Sequence, residues 1–105
     1  MVPQSSPNVK ITMMFPLLDN DAAPFDEGTW SWWRDEIVRV TPAYSELGLA
    51  QGRWEGHTDY CRWVMAVIPR DRLREVRRFL QEARLRFRQK EMYLDFHRVQ
   101  LESVR

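Results

Sequence analysis

Tyr60-Cys61-Arg62-Trp63-Val64-Met65-Ala66-Val67-Ile68, closed by Pro69, is the stretch that decides the fold. It is almost continuously apolar, rich in β-branched and aromatic residues, and too short for a typical helix. Those features predict a strand near the centre of a sheet. Just upstream, Glu55-Gly56-His57-Thr58-Asp59 reads as a hairpin connection. Residues 45–54 (SELGLAQGRW) then read as the partner strand, with Leu47 and Leu49 on one face. Gly48 and Gly52 mark a bulge or a close backbone approach there.

Further upstream, Trp30, Trp33, Ile37 and Val40 recur at helical spacing over residues 27–40. Asp26 or Thr29 can cap this helix, and Pro42 ends it. Trp30 and Trp33 are expected in the core, with Trp32 off the stripe and exposed. A loop rich in Asp, Asn and Pro (residues 17–25) precedes the helix. Before the loop, Val9, Ile11, Met13 and Phe15 alternate with Lys10, Thr12 and Met14, which predicts a strand stopped near Pro16. Residues 1–8 (MVPQSSPN) have no periodicity and no signal-peptide features, so they read as a flexible leader to a single domain over 9–105.

Downstream of Pro69, Asp71 is placed to cap a helix over about 72–89. Leu73, Val76, Leu80, Ala83 and Phe87 form its apolar stripe, with Phe79 beside it. A last strand spans about 91–99, with Met92, Leu94 and Phe96 on one face. The apolar register shifts after His97-Arg98 to Val99 and Leu101, which suggests a bulge or a short extra strand.

Strand, helix, strand, strand, helix, strand is the split βαβ order. The expected class is therefore α+β: a ferredoxin-like βαββαβ sandwich, a four-stranded antiparallel sheet with two helices on one face. The other face then lacks cover within the chain. Met14 must point there, together with either the Tyr60/Arg62/Val64 row or the Cys61/Trp63/Met65 row. Uncovered aromatic and Met side chains point to a partner, and a second copy of the chain is the simplest one. Met14, Trp54, Tyr60, Trp63 and Met65 are the candidate dimer surface. Trp54 and Trp63, on adjacent strands, are candidates to pair across them.

A length of 105 residues and 44% hydrophobic content fit one globular domain. No apolar run approaches the roughly 20 residues of a spanning helix, so no membrane is expected. Cys61 is the only cysteine, which excludes an internal disulfide and makes a cytoplasmic address the default. The net charge of +1 hides a segregation. Residues 70–90 carry nine Arg/Lys against three acids, residues 1–69 five against nine, and residues 91–105 two against three.

The residues also carry a resemblance. Trp30 and Trp33 lead into Val40-Thr41-Pro42, followed by Gly52-Arg53-Trp54, and later by Arg86-Phe87-Arg88-Gln89-Lys90 at the head of the last strand. This order resembles a family of small bacterial proteins of unknown function with a ferredoxin-like fold, over about residues 9–97. Many members carry Gly where Arg88 stands, and members often have a secretion or lipoprotein leader, which residues 1–8 are not expected to supply. The resemblance implies a fold and no activity.

Three site readings compete with the dimer. His57, Asp59 and Cys61 alternate at period two and are metal-ligand types, but the spacing matches no zinc signature. A polar hairpin followed by a buried cysteine is the preferred reading, with no metal and no cofactor. His57, Tyr60 and His97 are candidate catalytic residues of a small enzyme of the dimeric ferredoxin-like type. His57 would work with Asp59 or Asp95, and His97 with Tyr60. No nucleophile elbow or phosphate loop accompanies them. Arg74, Arg77, Arg78, Arg84 and Arg88 form a basic face that can meet nucleic acid. Asp71, Glu75 and Glu82 interrupt that row, which favours a solvated helix face instead. An unidentified small molecule or protein stays open as a partner.

Overall fold

The structure, a computed structural model, describes residues 7–102 together with 104 and 105. Four strands and two helices follow one another as β1 (Asn8–Pro16), α1 (Glu27–Val40), β2 (Tyr44–Trp54), β3 (His57–Pro69), α2 (Leu73–Arg86) and β4 (Tyr93–Val99). The strands form one sheet in the order β2-β3-β1-β4, every neighbour antiparallel. The chain is thus α+β, with β2 and β4 at the edges. Most of the expected leader, residues 1–6, lies outside the described residues. Pro7 and Asn8 belong to the fold: the Pro7 carbonyl accepts from the Arg70 amide at 2.9 Å, and Asn8 opens β1.

Alternation in β1 sorts its side chains cleanly. Val9, Ile11, Met13 and Phe15 are buried, while Lys10, Thr12 and Met14 are half-buried on the opposite face. Opposed residues of an antiparallel pair share a face. Val64, Ala66 and Ile68 of β3 therefore join the buried face through Met13, Ile11 and Val9. Both helices lie on that face: the Phe15 ring meets Trp33 of α1 at 5.3 Å and Phe79 of α2 at 5.8 Å.

α1 has the expected bounds for local reasons. The Asp26 carboxylate accepts from the Thr29 amide at 2.8 Å and its hydroxyl at 2.9 Å, which caps the first turn. At the far end buried Thr41 turns its hydroxyl onto the Ile37 carbonyl at 2.7 Å. Trp32 is not exposed as expected. It stacks on Phe79 at 5.6 Å and fills the seam between the helices, with the Arg86 guanidinium over it at 4.7 Å.

α2 is shorter than its apolar pattern. A 3₁₀ turn (Arg70–Arg72) precedes it, so Asp71 lies inside that turn rather than at the cap. The helix stops at Arg86 because Arg88 takes the left-handed region, φ +52°. The Gln89 amide then reaches the Arg84 carbonyl at 2.9 Å and the Arg88 amide reaches that of Leu85 at 3.2 Å, the Schellman arrangement. Glycine is the usual residue at that position. Here the Arg88 side chain is held by Asp19 at 3.0 Å.

The β2–β3 connection is tighter than expected. Glu55 (φ +49°) and Gly56 (φ +82°) form a two-residue turn with both central φ values positive, so β3 begins at His57. Gly48 (φ +107°) follows the single irregularity in the β2 register, between Glu46 and Gly48, whereas Gly52 pairs regularly with Asp59. β1 ends opposite Cys61, so the hairpin tip projects as a two-stranded ribbon beyond it. β4 keeps one register from Tyr93 to Val99. No bulge occurs there, and Val99 simply belongs to the other face.

Candidate functional site

The register settles which β3 row is uncovered. Met65 opposes Thr12, Trp63 opposes Met14, and Cys61 opposes Pro16. On the other side of β1, Tyr93 opposes Met14, Asp95 opposes Thr12, and His97 opposes Lys10. These residues line the sheet face away from the helices. Its β1–β3 half is apolar, with Met14, Met65 and Val67 half-buried and Trp63 38% exposed. Its β4 half is polar: the Tyr93 hydroxyl donates to Asp95 at 2.5 Å, and this bond pushes the phenol pKa up.

Of the expected dimer surface, Met14, Trp63 and Met65 share this face. Tyr60 does not. It belongs to the row of Arg62 and Val64 on the helix side, in the projecting ribbon, because it stands three positions from Trp63 and an odd offset along a strand reverses the face. Trp54 ends β2 opposite His57, and its side chain lies outside what is described. Trp63 is opposite Gly48, so the two tryptophans are not a cross-strand pair.

The candidate catalytic residues are not brought together. Tyr60 is level with Leu17, whose amide it accepts at 3.0 Å, whereas His97 is level with Lys10. Seven residues of strand separate those levels, roughly 24 Å, and the two side chains leave opposite faces. His57, at the ribbon tip, is farther still from Asp95. His57, Asp59 and Cys61 do share a row, but with steps of roughly 7 Å they diverge along it. Among the described residues no group of three His, Cys, Asp or Glu converges for a metal. The Cys61 thiol pKa is pushed up by burial and then by the Asp59 charge, so the thiol is a poor nucleophile at neutral pH.

The basic face also divides. Arg78 faces α1, in a groove with Glu36, Glu75 and Glu82. Arg88 lies beyond the helix and pairs with Asp19. Arg74 and Arg77 line a different groove, of about 300 Å³, between α2 and β4.

One arrangement escaped the sequence reading. The Arg62 guanidinium packs against the edge-to-face pair Trp30 and Trp33, its carbon 4.5 and 4.8 Å from the two ring centres. Its Nε is buried without a partner, and Glu46 stands 3.9 Å away. The Trp spacing on α1 was visible, but no local signal told which strand residue would pack against the rings.

Among the described residues no helix is long and apolar enough to cross a membrane. No family model matches the chain, and no curated protein matches it. The likeness to the small bacterial family therefore rests on the short motifs and on the α+β architecture alone.

Proposed function

We propose that the chain is a variant of the ferredoxin-like sandwich that works as a homodimerising binding module, two copies meeting through the sheet face opposite the helices. The succession of elements and the strand order support the fold reading. The departures are the 3₁₀ turn before α2 and the long β2–β3 ribbon. The observation that carries the dimer is the apolar strip of Met14, Trp63, Met65 and Val67 on a face that no other part of the described chain covers.

Area and charge both suit a second copy. Four strands about 4.8 Å apart, taken over the nine-residue length of β1, span roughly 19 by 30 Å. Two such faces bury about 1,200 Å² before side-chain relief is added, which clears the roughly 1,000 Å² expected of a specific interface. Lys10 and Asp95 lie on the same face, so a two-fold can set each against its opposite in the partner. A cytoplasmic address accords with the single half-buried thiol.

Multi-angle light scattering across a concentration series tests the proposal. A mass near twice 12.7 kDa at micromolar concentration is expected. A monomer at every concentration up to about 100 μM refutes it, since that limit corresponds to an interface weaker than about 5.5 kcal/mol.

A further inference from the structure

We infer that the groove between α2 and β4 binds the phosphate backbone of single-stranded nucleic acid. Two of the three acids that interrupt the basic row in sequence, Glu75 and Glu82, are displaced to the other flank of α2. Glu75 pairs with Arg72 at 3.4 Å and Glu82 with Arg86 at 3.1 Å, and both glutamates line the groove facing α1. The β4 flank keeps its arginines. Arg70, Arg74 and Arg77 line the groove there, and Arg98 lies next along the helix-side row of β4. None of these four forms an ion pair among the described residues. Asp71 is the one carboxylate in the groove lining.

The floor of the groove is aromatic. Phe96 is 41% exposed, and the Arg77 guanidinium carbon lies 5.6 Å above its ring centre. A basic track beside an exposed ring is how proteins hold single strands: cations follow the phosphates, and a ring or a guanidinium plane stacks a base. Arg84 continues the track about 10 Å beyond Arg77 along α2. The track is therefore longer than one phosphate needs. The groove is shallow and open, with an exposed ring as its floor, which suits a flexible strand whose bases can splay onto that ring. A duplex is read by an element that protrudes into its major groove.

Fluorescence anisotropy of the full chain with a labelled twelve-nucleotide oligouridylate tests the inference. Contact with four arginines predicts a slope of log K against log salt near −2.8, so affinity falls about 50-fold between 50 and 200 mM salt. Arg74→Gln with Arg77→Gln halves that slope, to about a sevenfold fall, and weakens binding at 50 mM. Phe96→Ala weakens binding about tenfold and leaves the slope unchanged. Arg39→Gln, which touches only the α1 side, leaves both unchanged. Circular dichroism confirms that each variant is folded, and Arg74→Glu with Arg77→Glu serves as a second pair. Four results overturn the inference: no binding at 50 mM salt, equal binding by the folded arginine variants, tighter binding of a duplex of the same length, or equal displacement by oligoglutamate. The last would assign the groove to an acidic protein segment.

Discussion

Trp63→Ala separates the dimer from the fold. Trp63 lies in the middle of the uncovered face, opposite Met14, and is 38% exposed. A tryptophan presents roughly 250 Å², so about 95 Å² of it remains for a partner to cover. At about 25 cal/mol per Å² this is close to 2.4 kcal/mol per copy. A symmetric dimer uses the residue twice, so the substitution weakens association by about 4–5 kcal/mol, on the order of 10³-fold in Kd. Sedimentation equilibrium at 1–100 μM reads that change directly. Leu85→Ala, on the outer surface of α2 and 60% exposed, is the matched control and leaves Kd within about twofold. Thermal melts of a dilute, monomeric sample check that the Trp63 variant keeps its fold. A folded variant that dimerises as tightly as the parent would refute the assignment of this face.

Phe87 is fully buried, with Phe25, Trp30 and Phe15 around it at 4.9, 5.1 and 6.0 Å. Phe87→Ala should therefore cost about 3–5 kcal/mol in urea unfolding, and a loss below 1 kcal/mol would contradict the packing. At Arg88, φ +52° strains any side chain, so Arg88→Ala should be less stable than Arg88→Gly by about 1 kcal/mol in the same assay. The reverse order would mean that the left-handed turn does not form. Backbone donors at Ala23 and Asp21, and to a lesser degree Arg88, hold the Asp19 pKa below the usual carboxylate value, and the Thr29 amide and hydroxyl do the same for Asp26. Their contribution is present above the unfolded value near pH 4 and is lost as pH falls through the lowered values. Thermal melts from pH 7 to pH 3 should show falling stability at the acid end, and Asp26→Asn should flatten that limb; an unchanged limb would argue against the cap. Iodoacetamide should modify Cys61 more slowly in the folded chain than in urea, and Asp59→Asn should speed the folded reaction. Equal rates would refute the raised thiol pKa.

Local chemistry made much of the fold legible. The Asp26 cap, the Trp30/Trp33/Ile37 stripe and Pro42 bound α1 without reference to any other element, and its limits agree with the expectation. The β1 alternation likewise named its buried face. The helix end at Arg86 was not legible, because the apolar stripe continues to Phe87 while the left-handed turn falls on an arginine that an ion pair to a distant loop holds in place. The early start of β3 was missed because Glu55 carries a positive φ that Asn, Asp or Gly would have advertised.

The sequence by itself determined the four strands, the two helices, and the expectation that one sheet face is left uncovered by both helices. Only the tertiary structure decided which residues occupy that face. In a near-continuous apolar strand such as Tyr60 to Ile68 both phases look buried, and the pairing of Met13 with Val64 and of Met14 with Trp63 is what distinguishes them. The same holds for the arginines of α2. Their helical spacing was readable, but their environment was not, because Glu75 and Glu82 turn toward α1 while Arg74 and Arg77 turn toward β4 and Phe96. A period tells which side chains share a face; only packing tells what that face meets.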